Sequence, residues 1–286
     1  MIKRYLSRVE ELGCFESIWD QEQILGAQPN LEPLHLLTFA AACTTRVRLG
    51  CMVVLTALRS PVHLAKEMAT LDLLSAGRLV MGVGLGQSTA NYPAFGADPS
   101  TRVARFVEGI RIMKGLWTEP RFSFAGRFWR LEDAAMEPKP RQKPHPPIYF
   151  GGNHPNALRR AVELGDGFIG AGSQSPDEFA SQAQMVRSEL ELTGHDPSKF
   201  EIGKRVYIAV DNDRERAGAG LAKWFAGRYG RPEAYKRVCV WGPPADCAAG
   251  LQGFVDSGAQ TLLLTPLFDE PEQMERLATE VLPLLS

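Results

Sequence analysis

The sequence predicts a parallel α/β fold, an eight-stranded barrel of alternating strands and helices whose first strand is missing. Strand-like and helix-like patterns alternate along the whole chain, and repeated βα units of this kind form parallel sheets. Seven strand candidates are each followed by a helix, and one helix precedes them all, which fits such a barrel better than a doubly wound sheet. A length of 286 residues is ordinary for a barrel that forms one domain, so we predict a single domain over residues 1–286.

The strand candidates are short runs that are rich in apolar and β-branched residues. The clearest is Val47–Leu55, which is apolar at nearly every position, as expected for a strand that is buried on both faces. The predicted strands lie at residues 15–19, 47–55, 79–83, 148–150, 167–169, 202–210 and 261–264.

Apolar residues at helical spacing and proline at a first helical position mark the helices. Gly13 ends the first helix, and Pro33 and Pro61 each open a later one. Arg105 is predicted to lie on the solvated face of its helix. The predicted helices lie at residues 2–12, from 33 onward, 61–74, 101–117, 155–164, 176–193, 245–257 and at the carboxyl terminus.

Three segments interrupt the alternation of strands and helices, at residues 88–100, 119–145 and 213–237. Within the second, residues 122–124 and 128–131 flank a turn, which predicts a hairpin over the barrel followed by a proline-rich return. The third predicts a helical insertion. The choice of substrate is expected to depend on these segments.

Composition and charge narrow the possible functions. The 32 basic and 33 acidic residues are well mixed and give a net charge of −1, so no nucleic-acid surface is indicated. Five cysteines form no CxxC pair and five histidines form no cluster with metal-ligand spacing, which argues against a zinc site and favours a reducing compartment. No apolar run approaches the roughly 18 residues of a membrane span, and the amino terminus lacks the apolar core of a signal peptide. We predict a cytoplasmic protein that acts on a small molecule without a metal, a membrane or a nucleic acid.

Two glycine-rich turns follow predicted strands and are candidates for ligand binding. Gly82–Gly86 lies at the carboxyl end of a strand, where barrel active sites are built, and glycine lets the backbone approach a flat ring closely. Gly151–Asn153 precedes a helix, whose first N–H groups and dipole favour an anion. The alternative for both is an ordinary chain-turning role. A Rossmann site is excluded, because the spacing from the glycines to a helix is wrong and no ribose-binding acid follows.

Residues 33–86 carry an ordered set of motifs. The set includes Thr-x-Arg-Val-x-Leu-Gly, Pro-x-x-Leu-Ala-Lys, Thr-Leu-Asp-x-Leu-Ser-x-Gly-Arg and Gly-Val-Gly-x-Gly, with Pro-Pro-Ile-Tyr-Phe-Gly-Gly and Leu-Gly-Asp-Gly further on. Each motif alone is weak, but together they cover most of residues 13–265, and the sequence resembles the luciferase-like monooxygenase superfamily. The resemblance implies a TIM-type barrel, an oxidoreductase or monooxygenase activity, and a bound flavin or deazaflavin.

The resemblance also implies which residues bind the cofactor. A non-proline cis peptide behind the ring is expected at Met52–Val53, the Gly-Gly turn is expected to hold the phosphate, and the strand ends are expected to share one cleft. The implied cofactor-binding residues are Met52, Val53, Gly86, Gln87, Ser88, Gly151, Gly152, Asn153, Gly170, Ala171 and Gly172. Leu58-Arg59-x-Pro61, Pro-Lys-Pro, and Gly-Gly-Asn followed by Ala-Leu-Arg-Arg-Ala look more similar to members that use coenzyme F420 than to luciferase itself. F420 is therefore preferred over FMN.

The sequence departs from the family pattern at two positions of expected catalytic proton transfer. Gln23 stands where the family usually has a histidine, and Gln87 stands where deazaflavin members often have a glutamate. Glutamine forms hydrogen bonds but does not exchange protons near neutral pH, so a proton would come from the substrate, water or Glu22. Arg59, in the loop after the strand at 47–55, is the candidate substrate-binding residue.

Two functions therefore remain open. The first is an oxidoreductase that transfers a hydride, or activates oxygen, through F420 or reduced flavin on a small organic substrate. The second, motivated by Gln23 and by the missing first strand, is a degenerate barrel that acts as a structural or partner subunit. A barrel without its first strand exposes two strand edges, so we expect an upstream start, another segment or a second subunit to cover them. A homodimer is common in the family.

Overall fold

The chain is described by a computed structural model over residues 1–26, 29–86 and 88–285. These residues form two compact units. The amino-terminal unit comprises Met1–Glu10 and Glu16–Gly151, and the carboxyl-terminal unit comprises Glu11–Phe15 and the residues from Gly152 onward. Within each unit the strands of the main sheet run parallel, which excludes an antiparallel sandwich.

The amino-terminal unit is built on four parallel strands with connecting helices. Its elements are most of α1 (Ile2–Leu12), then β1 (Ser17–Asp20), α2 (Pro33–Cys43), β2 (Arg48–Val54), α3 (Pro61–Leu74), β3 (Leu79–Val83), α4 (Arg102–Thr118), β4 (Phe122–Ala125), β5 (Arg130–Ala134) and β6 (Ile148–Gly151). The strand order is β1–β2–β3–β6, and β4 pairs with β5 as a separate antiparallel hairpin. Every residue of β3 is buried, as expected for a central parallel strand that is covered on both faces.

The carboxyl-terminal unit is organised around one long strand. Its elements are α5 (Pro155–Leu164), β7 (Gly167–Gly170), α6 (Pro176–Thr193), β8 (Glu201–Val210), α7 (Arg214–Tyr229), α8 (Tyr235–Val238), β9 (Cys239–Gly242), α9 (Pro244–Asp256), β10 (Thr261–Pro266) and α10 (Glu270–Arg276). β8 pairs in parallel with β7, with β10 and, at its carboxyl half, with β9.

The predicted helices agree with the structure closely, and the strands agree less well at their ends. The helices predicted at 61–74, 155–164 and 176–193 have those bounds in the structure, and each begins at a proline. β1 begins two residues later than predicted, and β9 was missed because it follows directly on the helical insertion predicted at 213–237. No described helix is both long and apolar enough to cross a membrane.

The hairpin of β4 and β5 is attached to α4 by two side chains of that helix. Glu108 accepts hydrogen bonds from the backbone N–H groups of Arg127 (2.8 Å) and Phe128 (3.1 Å). The guanidinium of Arg105 lies over the rings of Phe128 and Trp129, with its central carbon 5.2 and 4.7 Å from their centroids. The prediction that Arg105 lies on a solvated face is therefore wrong, because the aromatic residues of the hairpin cover it.

Arg78 joins α2, α3 and the start of β2. Its guanidinium donates to the carbonyl oxygens of Ala41 (3.0 Å), Thr44 (2.9 Å), Val47 (2.8 Å) and Ser75 (2.7 Å), and to the Thr44 hydroxyl (2.8 Å). The carbonyls at the carboxyl end of a helix lack partners within the helix, so one planar side chain here satisfies groups that would otherwise go unpaired. The Thr-Leu-Asp-x-Leu-Ser-x-Gly-Arg motif thus has a structural role at its arginine.

Candidate functional site

The carboxyl end of β2 departs from regular strand geometry. The Met52–Val53 peptide bond is cis, as the family resemblance implied. The pairing of β2 with β3 shifts register between Cys51 and Val54, so the two residues of the cis peptide form a bulge. Met52 and Val53 are partly exposed, whereas Val54 is buried.

The side chain of Val53 fills the space beside two glycines on neighbouring strands. A Cβ atom at Gly84 would lie 2.7 Å from Cγ2 of Val53, and one at Gly151 would lie 2.7 Å from Cγ1 of the same residue. A Cβ atom at Gly82 would lie 2.1 Å from the carbonyl oxygen of Cys51. The sequence predicted that glycine lets the backbone at 82–86 approach a flat ring, but at Gly82 and Gly84 the missing side chain makes room for β2.

Gly86 is glycine for a conformational reason. Its φ of +74° lies in the left-handed region that other residues avoid, and a Cβ atom there would lie 3.0 Å from Leu55. The residue is exposed, as is Ser88, whose hydroxyl accepts a hydrogen bond from the N–H of Ala90 (3.2 Å). Gln87, assigned from the sequence to cofactor binding and catalysis, lies outside the described residues.

A cluster of one arginine and two glutamates occupies the carboxyl ends of β1 and β2. The Glu22 carboxylate is fully buried and accepts from the N–H of Leu55 (2.5 Å) and from Nε (3.0 Å) and Nη2 (2.6 Å) of Arg59. Nη2 of Arg59 also donates to Glu32 (2.8 Å), whose other oxygen caps α2 at the N–H of His35. Arg59 is therefore held on both sides by carboxylates, and this acidic cluster of Glu22, Arg59 and Glu32 has a formal charge of −1.

The surroundings of the acidic cluster shift three pKa values. Burial tends to raise the pKa of Glu32, but the N–H and side chain of His35 and the guanidinium of Arg59 outweigh it and hold that pKa below its usual range. Burial tends to lower the pKa of Arg59, and the two glutamates raise it. Burial, with the carboxylates of Asp20 and Glu22, raises the pKa of the Cys51 thiol well above its usual value. Cys51 is thus an apolar core residue and not a nucleophile.

Neither Gln23 nor Glu22 carries a proton as the site stands, because an amide does not titrate near neutral pH and the carboxylate is fully engaged. The amide of Gln23 lies against its own loop, because a Cβ atom at Gly26 would be only 1.6 Å from Nε2 of Gln23. Both oxygens of Glu22 already accept hydrogen bonds, and two of its three donors belong to a cation. The expectation that Glu22 replaces the missing histidine is therefore not supported, since it anchors Arg59 and the end of β2.

The ring of Trp19 packs against β2 and β6, a contact that the sequence did not predict. Its ring lies directly over Gly50, where a Cβ atom would be 2.3 Å from the indole, and stacks on Tyr149 with centroids 6.3 Å apart and an interplanar angle of 22°. The indole N–H donates to the hydroxyl of Ser17 (2.8 Å). The small residue in the middle of β2 is the one sequence signal for this packing.

In the carboxyl-terminal unit, the predicted phosphate turn leads into α5. Gly152 is partly exposed and Asn153 is exposed, and His154 caps the helix by accepting from the N–H of Asn156 (3.1 Å). A Cβ atom at Gly152 would lie 2.9 Å from that of Ala157, so only glycine fits without a shift. The side chain of His154 therefore accepts from one of the helix N–H groups that the sequence analysis expected to bind an anion.

A buried lysine of β8, Lys204, forms a hydrogen bond with the loop at Gly170–Gly172. Nζ of Lys204 donates to the carbonyl oxygens of Ala171 (2.6 Å) and Arg205 (2.8 Å), and it lies 5.2 Å from the ring centroid of Phe254. The N–H of Ala171 donates to the side chain of Gln174 (2.9 Å). Lys204 is 0% exposed, and burial, with the neighbouring Arg205, lowers its pKa to about 7.

Lys204 was not singled out from the sequence, although a signal exists. It stands in β8, whose positions 206–210 are all buried, and a lysine that points into such a layer almost always has a structural or functional partner. The contacts of Lys204 with the 170–172 loop depend on the pairing of β7 with β8, which no local pattern specifies.

Two relatives with known activities resemble the chain over most of its length. An F420-dependent glucose-6-phosphate dehydrogenase of Kineococcus radiotolerans is 29% identical, with 97% of this chain and 90% of that protein aligned. An FMNH2-dependent dimethylsulfone monooxygenase of Pseudomonas putida is 30% identical, with 78% of this chain and 62% of that protein aligned.

A solved structure and a family profile settle the fold and the family. An F420-dependent secondary alcohol dehydrogenase in complex with an F420–acetone adduct has a TM-score of 0.88 over 99% of this chain and 94% of that one, at 20% identity. At that identity the likeness shows the fold alone, and the predicted α/β fold of the TIM-barrel class is confirmed. A profile of the luciferase-like monooxygenase family matches residues 1–234. The chain therefore belongs to the luciferase-like monooxygenase family and is an oxidoreductase of that family.

Proposed function

We propose that the protein is an F420-dependent oxidoreductase that transfers a hydride between the deazaflavin and a small organic substrate. Similarity to the F420-dependent relative extends over 97% of this chain, and similarity to the FMNH2-dependent relative extends over 78%. The observation that carries the proposal is the bulge of β2 at Met52 and Val53, where the family resemblance puts the cofactor's ring. Nothing in the described residues favours a non-catalytic role.

The residues at the end of β2 fit such a cofactor. Met52, Val53, Gly86 and Ser88 are partly or fully exposed, so this end of the strand is open to a ligand. The hydroxyl of Thr56, which follows β2, has no hydrogen-bond partner among the described residues, but its oxygen is closed to solvent and is not a ligand contact.

The binding roles follow the family resemblance. We assign the ring to Met52, Val53, Gly86 and Ser88, which are all partly or fully exposed. The phosphate-bearing tail is assigned to the turn Gly151–Asn153, with Gly170–Gly172 as a second wall. When bound, the deazaflavin would accept or supply the hydride, which no protein side chain does.

The proton that accompanies the hydride is exchanged, in this proposal, with solvent: it is released when an alcohol is oxidised and taken up when a carbonyl is reduced. Gln23 has no titration near neutral pH, and Glu22 is occupied by Leu55 and Arg59. The role of Glu22 is to hold the guanidinium in place, and the role of Arg59 is to present its remaining N–H groups.

The acidic cluster also bears on the class of substrate. Two carboxylates surround one guanidinium, so an incoming anion would meet a formal charge of −1. We therefore infer that Arg59 donates hydrogen bonds to a neutral carbonyl or hydroxyl group and does not recognise a substrate phosphate or carboxylate.

Titration of the protein with F420, FMN and riboflavin tests the cofactor. Trp19 and the other tryptophans report binding by fluorescence quenching, and we expect F420 to bind more tightly than FMN. Reduction of F420 by a panel of small alcohols, without consumption of oxygen, is the expected activity. Tighter binding of FMN together with oxygen uptake by the reduced-flavin complex would instead establish the flavin monooxygenase alternative. Failure of all three ligands to bind would refute the proposal.

Gln23→His is expected to raise the rate of F420 reduction by about tenfold or more, because it returns a proton carrier with a pKa near 6.5. The dissociation constant of F420 should change little, since the residues assigned to the cofactor are elsewhere. Gln21→His is the matched control, because it adds the same group two residues away. A rate that is unchanged in Gln23→His, or raised equally in both variants, would contradict a proton-transfer role for position 23.

A further inference from the structure

The Ala171–Gly172 peptide has a fixed orientation. Its carbonyl oxygen accepts from Nζ of Lys204 and from the N–H of Gln174 (3.2 Å), so it points into the loop and towards the lysine. In a planar trans peptide the N–H points opposite to the carbonyl, so the N–H of Gly172 points away from Lys204. Gly172 is buried, and none of the described residues accepts a hydrogen bond from that N–H.

The charges around Lys204 are unbalanced. The ammonium has two carbonyl partners and an aromatic ring but no carboxylate within hydrogen-bonding distance among the described residues. Arg205 on the same strand disfavours the charged form of Lys204, and Glu178 on α6 opposes this effect without a hydrogen bond to the ammonium. Burial raises the pKa of Cys239 on β9 to about 12, so its thiol stays uncharged. A buried ammonium without a counter-ion is costly, and an anion nearby would relieve that cost.

We propose that Lys204 is a positioning residue for an anion-binding site at the Ala171–Gly172 peptide, where the N–H of Gly172 donates to a phosphate group of the bound ligand. The inference deepens the proposed function, because it names a donor and its support for the phosphate of F420 or FMN. Lys204 acts through the peptide: it orients the carbonyl, polarises the peptide so that its N–H is a stronger donor, and supplies positive charge. Lys204 does not touch the ligand itself.

Proton uptake is a consequence of this arrangement that a purely structural lysine would not show. With a pKa of about 7, Lys204 is largely uncharged at pH 8, whereas the phosphate monoester of FMN, with a second pKa near 6, is ionised. Binding of the anion raises the pKa of the lysine, so the complex takes up protons from the buffer. Riboflavin has the same ring system without the phosphate and should cause no such uptake.

Comparison of FMN with riboflavin in wild-type protein and in Lys204→Met tests the inference. We expect the variant to weaken FMN binding by about ten- to hundredfold, the size of one hydrogen bond to a charged group, and riboflavin binding by less than about threefold. Calorimetry at pH 8 in two buffers of different ionisation enthalpy should show net proton uptake with FMN, none with riboflavin, and none with FMN in the variant. Lys199→Met is the matched control, because Lys199 is exposed and, among the described residues, forms an ion pair with Asp196 alone, at 3.7 Å.

The outcomes separate this inference from the cofactor assignment. Equal losses of FMN and riboflavin affinity in Lys204→Met, or absence of proton uptake in the wild type, would overturn the role of Lys204 and leave the proposed function standing. If the variant does not fold, the wild-type calorimetry still decides. Inorganic phosphate provides an arm that needs no flavin: it should raise the melting temperature of the wild type and of Lys199→Met but not of Lys204→Met, and equal shifts in all three would refute the site.

Discussion

Arg78→Ala should destabilise the protein by roughly 3–5 kcal/mol and lower its melting temperature by roughly 10 °C. The side chain donates to four carbonyl oxygens and one hydroxyl, and its removal leaves these acceptors without partners at the junction of α2, α3 and β2. Burial lowers the pKa of Arg78, with the carboxylate of Glu10 opposing that shift, but the group stays charged at any pH that the fold survives. Calorimetric or circular-dichroism melting is the measurement.

Arg78→Lys and Arg130→Ala are the controls for this prediction. Lysine keeps the charge but lacks the planar fork with five donors, so it should recover less than half of the lost stability. Arg130 forms an ion pair with Glu132 in which both side chains are about three-quarters exposed, and its removal should cost less than about 1 kcal/mol. A melting temperature of Arg78→Ala within two degrees of that of Arg130→Ala would show that the junction does not depend on the guanidinium.

Gly82→Ala should be at least as damaging, with a loss of roughly 3 kcal/mol or more. The new methyl group would lie 2.1 Å from the carbonyl oxygen of Cys51, a backbone atom of the adjacent strand. A side chain tip can rotate away from such a contact, but a paired strand cannot move without losing its hydrogen bonds, so the pairing of β2 with β3 should be disturbed. We expect a lower melting temperature and a lower yield of soluble protein.

Gly227→Ala separates the effect of space from the general effect of replacing glycine. Gly227 lies within α7, and a Cβ atom there would meet nothing within 4 Å. Alanine at an exposed helical position should stabilise the fold by about 0.5–1 kcal/mol. Gly82→Ala and Gly227→Ala should therefore shift the melting temperature in opposite directions. A small shift of the same sign in both would mean that β2 and β3 tolerate the methyl group.

The sequence predicted helices better than strands for a physical reason. Proline presets the backbone at the first helical position and carries no N–H to satisfy, so Pro61, Pro155 and Pro176 mark helix starts locally. A strand ends where its partner ends, and that partner is distant in sequence. β9 exists because Cys239–Gly242 pairs with the carboxyl half of β8, about thirty residues away, and four residues alone give no periodicity to detect.

In the candidate site too, local features were predicted and contacts between distant strands were not. The motif at 33–86 led to Met52 and Val53 and to their cis peptide, because a family pattern stores information about distant contacts that a single sequence does not state. The structure adds a reason for Gly82 and Gly84 that the sequence did not state, since the contact that excludes a side chain comes from another strand. The involvement of Lys204 with Ala171 depends on the register in which Gly170 faces Lys204, and register is set by the whole sheet.

Val53, Gly84 and Gly151 share a single volume, and this has a consequence for how the protein can change. Three strands meet at the isopropyl group of Val53, so the total side-chain volume at the three positions is limited. Which of the three positions supplies that volume is not fixed. A methyl group gained at 84 or 151 becomes acceptable once position 53 gives up an equal volume, and the two changes are then strongly non-additive. Variation at these sites should therefore occur as paired exchanges. A library that varies one position at a time would find no tolerated larger residue at 84 or 151, although suitable pairs of substitutions exist.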